Sequence, residues 1–127
     1  MKIKEIGPRF IETLKKDKKI IAVLLFGSYA RGEEYRDIDL CIVLDKKYDN
    51  LSMSKKRLEY ASIASGKIDI HIFQQLPLYI RKRILKEGKI LLYKNENLLY
   101  EIAFSTIKEF DSFEKIYNMY LDKVKNG

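Results

Sequence analysis

Two short apolar runs that flank one polar loop constrain the fold of this chain more than any other feature. The first run, IIAVLLFG at residues 20–27, is rich in β-branched side chains and ends at glycine, and the second, DIDLCIVL, covers residues 37–44. Runs of this length that lack polar alternation are typical of strands buried on both faces. The sequence therefore predicts two core strands joined by a loop.

Helical and strand patterns alternate around these two runs. We expect helices at residues 8 to about 17, 51–65 and 77–87, further strands at 67–73 and 89–93, and one or two helices from about 96 to 125. The predicted fold class is α/β (α+β), with a small mixed sheet of three to four strands, helices packed against it and a C-terminal helix or helices. We expect one domain over residues 1–127, with a core at about 8–93 and a C-terminal helical segment at about 96–125.

Composition excludes several kinds of site. With one cysteine and one histidine, the chain cannot form an internal disulfide or a zinc site of several thiolates, so we expect metal chemistry to use oxygen ligands. No apolar stretch approaches the roughly 20 residues that cross a bilayer, and the N-terminus has no signal-peptide core, so we expect a cytoplasmic protein without membrane contact. A net charge of +7 fits either an anionic partner or a solvated surface.

The loop between the two runs, within FGSYARGEEYRDIDL at residues 26–40, contains a Gly-Ser pair at the end of a buried strand. Backbone N–H groups point outward where a strand opens into a helical turn, and such a turn can hold a phosphate. Gly27 would let a phosphate approach the backbone, and Ser28 would donate its hydroxyl to a phosphate oxygen. Helix capping by Ser28 is the alternative.

Three carboxylates follow this turn along the chain. Asp37 and Asp39 are two residues apart in the second run, so their side chains leave one face of a strand and can converge on cations. Asp69 lies on the polar face of the alternating strand KIDIHIF and would join them if the two strands pair. Oxygen ligands completed by substrate phosphates suit Mg²⁺ and phosphoryl or nucleotidyl transfer. A polar strand start paired with Arg31 or Arg36 is the alternative.

The segments GSYARGE, DIDL, KIDI and LPLYIRKRILKEGKILLY, in this order, resemble the minimal nucleotidyltransferases (MNT) of the DNA polymerase β-like superfamily over about residues 19–93. The resemblance implies that Gly27 and Ser28 hold the nucleotide phosphates and that Asp37 and Asp39 ligate Mg²⁺. It also implies that Asp69 ligates one metal and helps to deprotonate the acceptor hydroxyl.

Arg31 is placed by the same resemblance to reach the triphosphate, with a structural pair to Glu33 or Asp37 as the alternative. The chain departs from the family pattern in two ways. Its spacer between Ser28 and Asp37 holds eight residues where ten are common, with Arg36 where serine is common, and we expect it to lack the extra domain with which larger relatives grip a base or an acceptor.

The function implied is transfer of a nucleoside monophosphate, AMP from ATP, to a hydroxyl with two Mg²⁺ ions. The family further implies an antitoxin whose acceptor is a tyrosine of a companion HEPN-domain toxin. Small-molecule nucleotidyl transfer is the enzymatic alternative. A non-catalytic module that masks a partner or binds nucleic acid is the alternative from another class, although we do not expect nucleic acid as a partner.

Three further features remain open. Cys41 is expected to be a buried small side chain. His71 shares the polar face of Asp69 and either edges the site or has a surface or packing role. Apolar side chains spaced three and four apart form what we call the C-terminal seam, which either packs on its own domain or joins a second copy or another protein. Its members are Ala103, Thr106, Phe110, Phe113, Tyr117, Tyr120 and Val124.

Overall fold

A four-stranded mixed sheet forms the centre of the protein. The computed structural model describes residues 6–126. Its strands are β1 (Ile20–Phe26), β2 (Ile38–Leu44), β3 (Ile68–Ile72) and β4 (Lys89–Tyr93), in the spatial order β3-β2-β1-β4. β2 pairs antiparallel with β1 and parallel with β3, and β4 pairs antiparallel with β1. The predicted mixed sheet of three to four strands is confirmed.

Five helices complete the described part of the chain. They are α1 (Pro8–Lys16), α2 (Gly27–Ala30), α3 (Asn50–Ile63), α4 (Leu78–Glu87) and α5 (Glu96–Asn126), with a 3-10 turn at Phe73–Gln75. Pro8 occupies the first turn of α1, where its missing N–H costs nothing, and the Asp49 carboxylate caps α3 by accepting from the Ser52 N–H at 2.7 Å. The predicted C-terminal segment is one helix of 31 residues.

Helices cover both faces of the sheet. On one face, Phe10 and Leu14 of α1 and Tyr60 of α3 pack on alternate residues of β1, β2 and β3. On the other face, Ile84 of α4 and Leu99 of α5 pack on the remaining residues of the two central strands. This double cover explains why the sequence of β1 and β2 shows no polar alternation. Cys41 is fully buried as expected, and burial raises the pKa of its thiol.

A polar junction at the end of α1 ties distant segments together. The Asp17 carboxylate accepts hydrogen bonds from Lys56 Nζ at 2.5 Å and from the Tyr60 hydroxyl at 2.6 Å, both on α3. Lys94 Nζ, just after β4, donates to the carbonyls of Leu14 and Asp17 at 2.8 and 2.6 Å. A cation at these carbonyls complements the negative end of α1.

The C-terminal seam divides into two parts. Thr106 is buried, and Phe110 is half-buried beneath Lys82 of α4, whose Nζ lies 4.0 Å from the ring centroid. Phe113, Tyr117 and Tyr120 are 56%, 50% and 62% exposed. The interpretation that the whole seam packs on its own domain is therefore wrong for its second part. The first part rests on α4, whereas no other segment within residues 6–126 covers the second part.

No helix within residues 6–126 has both the length and the apolar character that crossing a membrane requires.

Candidate active site

The pairing of β2 with β3 brings two carboxylates together. In the parallel register Asp39 lies directly opposite Asp69. Opposite residues of paired strands project from the same face of a sheet. Their neighbours Leu40 and Ile70 enter the core on the other face. The structure thus places Asp39 and Asp69 side by side on the face that α4 partly covers, and we call them the carboxylate pair.

His71 joins the carboxylate pair. Its Nε2 lies 3.0 Å from Asp69 Oδ2 and 3.5 Å from Asp39 Oδ1. The ring of Phe26, the last residue of β1, meets the imidazole edge to face, with centroids 5.2 Å apart. Of the two interpretations that the sequence left open for His71, the structure favours the position at the edge of the site.

The electrostatics of Asp39 reflect this crowding. Burial raises the pKa of Asp39, and the negative charges of Asp69 and Asp37 raise it further, although His71 acts in the opposite direction. Two carboxylates held side by side favour a proton or a cation between them. The site is therefore prepared for a positive charge.

Asp37 occupies a different position from its two partners. It precedes β2, which begins at Ile38, and it is exposed. Its negative charge lies near enough to raise the pKa of Asp39. The donor atoms that lie within 4.8 Å of one another, however, belong to Asp39, Asp69 and His71. The structure thus brings together two of the three predicted carboxylates and leaves Asp37 at the rim.

Gly27 connects the loop to the carboxylate pair. It has a φ of +76°, which L side chains rarely adopt, and a Cβ built on it would collide with Asp39 Oδ2. The sequence suggested glycine for phosphate approach, and the structure adds a second reason. Gly27 therefore lies in contact distance of one metal-ligand candidate, and Ser28, the next residue of α2, lines the same cleft.

Arg31 ends the short helix α2 and forms ion pairs with two carboxylates. Its Nε lies 3.1 Å from Glu33 Oε2, and its Nη1 lies 3.8 Å from Glu87 Oε2. The structural pair with Glu33 that the sequence suggested is therefore present. Arg31 also lines the cleft beside Gly27, so its ion pairs and a role toward a phosphate are compatible.

A cleft of about 370 Å³ opens between α2 and α4. Phe26, Gly27, Ser28, Arg31 and Asp39 line one side of it. The other side consists of α4 residues that we did not single out as functional: Tyr79, Ile80, Arg83, Ile84 and Glu87. Tyr79, Arg83 and Glu87 are spaced four apart and so share one face of the helix. This spacing is the sequence pattern that could have identified them.

The donor set fits a divalent cation. Within residues 6–126 the atoms that gather closely enough are two carboxylate oxygens and one imidazole nitrogen. Carboxylates of this kind hold Mg²⁺ when water and substrate phosphates supply the remaining positions. The expectation of oxygen ligands alone overlooked that a single histidine can add one nitrogen donor.

Comparison with known proteins agrees with this geometry. Residues 9–97 match the family model "Polymerase beta, Nucleotidyltransferase", which covers well over half of the chain. The chain belongs to this nucleotidyltransferase family. The match includes the loop, the carboxylate pair and α4, and the family expected from the motifs is confirmed.

Relatives of this nucleotidyltransferase are found among curated proteins and solved structures. "Putative protein adenylyltransferase MJ1547" of Methanocaldococcus jannaschii is 38% identical over 100 residues, which are 76% of this chain and 75% of the relative. A chain from a toxin–antitoxin structure with AMP-PNP superposes with a TM-score of 0.67 and 22% identity, covering 91% of this chain and 96% of its own length.

A second structural neighbour comes from a complex of tri-AMPylated Shewanella oneidensis HEPN toxin with MNT antitoxin. Its TM-score is 0.63 at 20% identity, and the superposition covers 91% of this chain and 93% of that one. At this identity the likeness establishes the shared nucleotidyltransferase fold.

The raised pKa of Asp39 makes a prediction about the metal-free protein. A carboxyl whose folded-state pKa exceeds its unfolded value stabilises the fold at low pH and loses that contribution as the pH rises through the folded-state value. In a chelator at pH 7, Asp39→Asn should therefore melt at a higher temperature than the original chain. Near pH 3, below the ordinary aspartate pKa of about 3.9, the advantage should vanish.

Asp17→Asn is the matched control with the opposite sign. Burial raises the pKa of Asp17, but hydrogen bonds from Lys56 and Tyr60 outweigh it and lower the pKa overall. This variant should be less stable at pH 7, with the deficit shrinking as the pH falls through the folded-state pKa of Asp17. Thermal melts of both variants across pH would contradict the account if Asp39→Asn were destabilised at pH 7 like Asp17→Asn.

Proposed function

We propose that this nucleotidyltransferase transfers AMP from ATP to a hydroxyl of a protein and requires Mg²⁺. The observation that carries the proposal is the carboxylate pair, Asp39 opposite Asp69, in contact distance of Gly27 at the mouth of the cleft. A cation site beside a glycine turn is the arrangement that holding a triphosphate for in-line attack needs. The adenylyltransferase name of the M. jannaschii relative and the AMP-PNP structure support ATP as the donor.

Each side of the cleft has a defined task in this proposal. Gly27 and Ser28 hold phosphate oxygens, while Arg31 and Arg83 supply positive charge to the triphosphate from opposite sides. Asp37 and Asp39 would hold one Mg²⁺ ion, and Asp39 and Asp69 would hold the other. When bound, the ions polarise the α-phosphate and neutralise charge on the leaving group.

The reaction consists of one in-line displacement. The acceptor hydroxyl oxygen forms a bond to the α-phosphorus of ATP, and the bond from that phosphorus to the bridging oxygen of the β-phosphate breaks. Pyrophosphate leaves with the electron pair of the broken bond. Asp69, the more exposed member of the carboxylate pair, accepts the hydroxyl proton as the new bond forms.

The acceptor in this proposal is a tyrosine on a HEPN-domain toxin, so that the chain acts as an antitoxin. Support comes from the structural neighbour in complex with a tri-AMPylated HEPN toxin. The side chain of Asp69, next to the cleft residue Asp39, is 52% exposed. A hydroxyl carried by another protein can therefore approach the carboxylate pair.

The second part of the C-terminal seam would dock this same toxin. From residue 111 onward α5 is exposed on all sides. A helical segment of about 15 residues that packs against nothing is marginal in water, so it gains stability from a partner. A second copy of the chain is the competing partner for this surface. The structural neighbours that superpose over nearly their whole length come from toxin–antitoxin structures, which favours the toxin.

Incubation with ATP labelled at the α-phosphate tests the proposed activity. In the presence of Mg²⁺ and the companion toxin, we expect label to appear on the toxin. Asp39→Asn and Asp69→Asn should each lower the rate by at least about 100-fold, because each removes a metal ligand and Asp69 also takes the proton. Glu12→Gln, an exposed carboxylate on α1, is the control and should keep the full rate.

Label on small-molecule acceptors alone, with none on the toxin, would contradict the protein-acceptor proposal. Full activity in Asp39→Asn would contradict the assignment of the site.

Charged substitution of the second part of the seam tests docking. Phe113→Asp with Tyr117→Asp should weaken binding of the toxin by about 100-fold or more, because each carboxylate enters an apolar contact. Lys115→Asp, on the opposite side of α5, is the matched control and should bind normally. Circular dichroism should show a folded double variant, since both replaced side chains are exposed.

Unchanged toxin affinity in the folded double variant would contradict toxin docking at this surface. If sedimentation showed that the chain alone dimerises and that the variant only abolishes the dimer, a second copy would be the occupant instead.

A further inference from the structure

His71 is a residue of the site to which the three-carboxylate pattern gives no role. It is the one histidine of the chain, and its ring is mostly buried between Phe26 and the carboxylate pair, with 27% of the side chain exposed. An imidazole in this position can either orient a carboxylate through a hydrogen bond or donate its nitrogen to a metal.

The distances around Nε2 place the imidazole as a third donor beside the two carboxylates. Two donor atoms that occupy neighbouring corners of an octahedron, each about 2.1 Å from the ion, lie about 3.0 Å apart. Nε2 lies 3.0 Å from Asp69 Oδ2 and 3.5 Å from Asp39 Oδ1. His71 can hydrogen-bond to either carboxylate at these distances, and the same closeness also lets the three donor atoms share one ion.

The strands hold this face of donors in place. Asp39 and Asp69 are opposite in register, and His71 follows Asp69 by two residues on the same face of β3. The edge-to-face contact with Phe26 restricts rotation of the imidazole. The three donors therefore come from two paired strands rather than from a mobile loop.

We propose that His71 is a direct ligand of one of the two ions, and that its nitrogen makes this position selective for a first-row transition ion such as Mn²⁺ over Mg²⁺. The inference rests on the proposed function only for the presence of a divalent ion at Asp39 and Asp69. A nitrogen donor strengthens binding of transition ions, whereas Mg²⁺ prefers oxygen donors and gives up its water reluctantly. The second position, at Asp37 and Asp39, has oxygen donors only and remains suited to Mg²⁺.

Pulsed electron paramagnetic resonance of bound Mn²⁺ tests the ligand directly. The untagged protein is loaded with Mn²⁺ and with tripolyphosphate, which supplies phosphate oxygens but no nitrogen. We expect a nuclear modulation from a directly bonded ¹⁴N that changes to the ¹⁵N pattern when the histidine is labelled with ¹⁵N. Because the chain has one histidine, this change identifies His71.

His71→Asn supplies the complementary binding measurement. By calorimetry its affinity for Mn²⁺ should fall about 10-fold or more while its affinity for Mg²⁺ changes much less, so that the preference for Mn²⁺ shrinks. Thr13→Ala on α1 is the control and should change neither affinity.

Each outcome separates this inference from the proposed function. Bound Mn²⁺ without histidine modulation overturns the inference even if AMP transfer occurs. An equal loss of affinity for Mn²⁺ and Mg²⁺ in His71→Asn also overturns it, because that result indicates a positioning role. Histidine modulation in a protein that transfers no AMP supports the ligand and overturns the proposed function. Failure of Mn²⁺ to bind overturns the inference alone, because the proposed function requires Mg²⁺.

Discussion

The parallel register between β2 and β3 is the constraint on which the site depends. It places Asp39 opposite Asp69, and it does so because alternate residues of both strands are held in an apolar core that neither strand can leave. A slip of one residue would move the carboxylates into that core and bring isoleucine and leucine to the cleft. The hydrophobic pattern that folds the sheet therefore also positions the charged groups.

The fold holds Asp39 in an electrostatically unfavourable position. Burial and neighbouring charges raise the pKa of Asp39. The Asp39 carboxylate also lies so close to Gly27 that residue 27 has no room for a side chain. This is a local conflict that a bound cation would relieve. Conflicts of this kind are expected at functional positions, where folding preference gives way to chemistry. By contrast, Lys56 and Tyr60 donate hydrogen bonds to the Asp17 carboxylate in the polar junction, which serves the fold.

Much of this arrangement can be predicted from the sequence, and the exceptions have physical causes. The apolar runs of β1 and β2 specify strands buried on both faces, and motif spacing led to Asp39 and Asp69. The position of Asp37 at the rim depends on where β2 begins, and pattern reasoning determines such boundaries only to within a residue or two.

The cleft side of α4 and the exposure of the C-terminal seam were harder to predict. Tyr79 and Arg83 share a helix face, but only the packing of α4 on the sheet shows that this face borders the cleft. The apolar periodicity of α5 continues past Phe110, and the same periodicity suits a core and an interface. The helix α5 extends beyond the surface of the domain, and its local sequence does not predict where that surface ends.

We propose that Asp39 and Asp69 bind a cation beside a nucleotide held at Gly27. A crystal structure with Mn²⁺ and AMP-PNP, with the ion located by anomalous scattering, tests it most directly. We expect an anomalous peak at bonding distance, about 2.1–2.2 Å, from oxygens of both carboxylates, with the triphosphate against the turn at Gly27 and Ser28. Nucleotide bound elsewhere, or an ion that contacts neither carboxylate, would contradict the account.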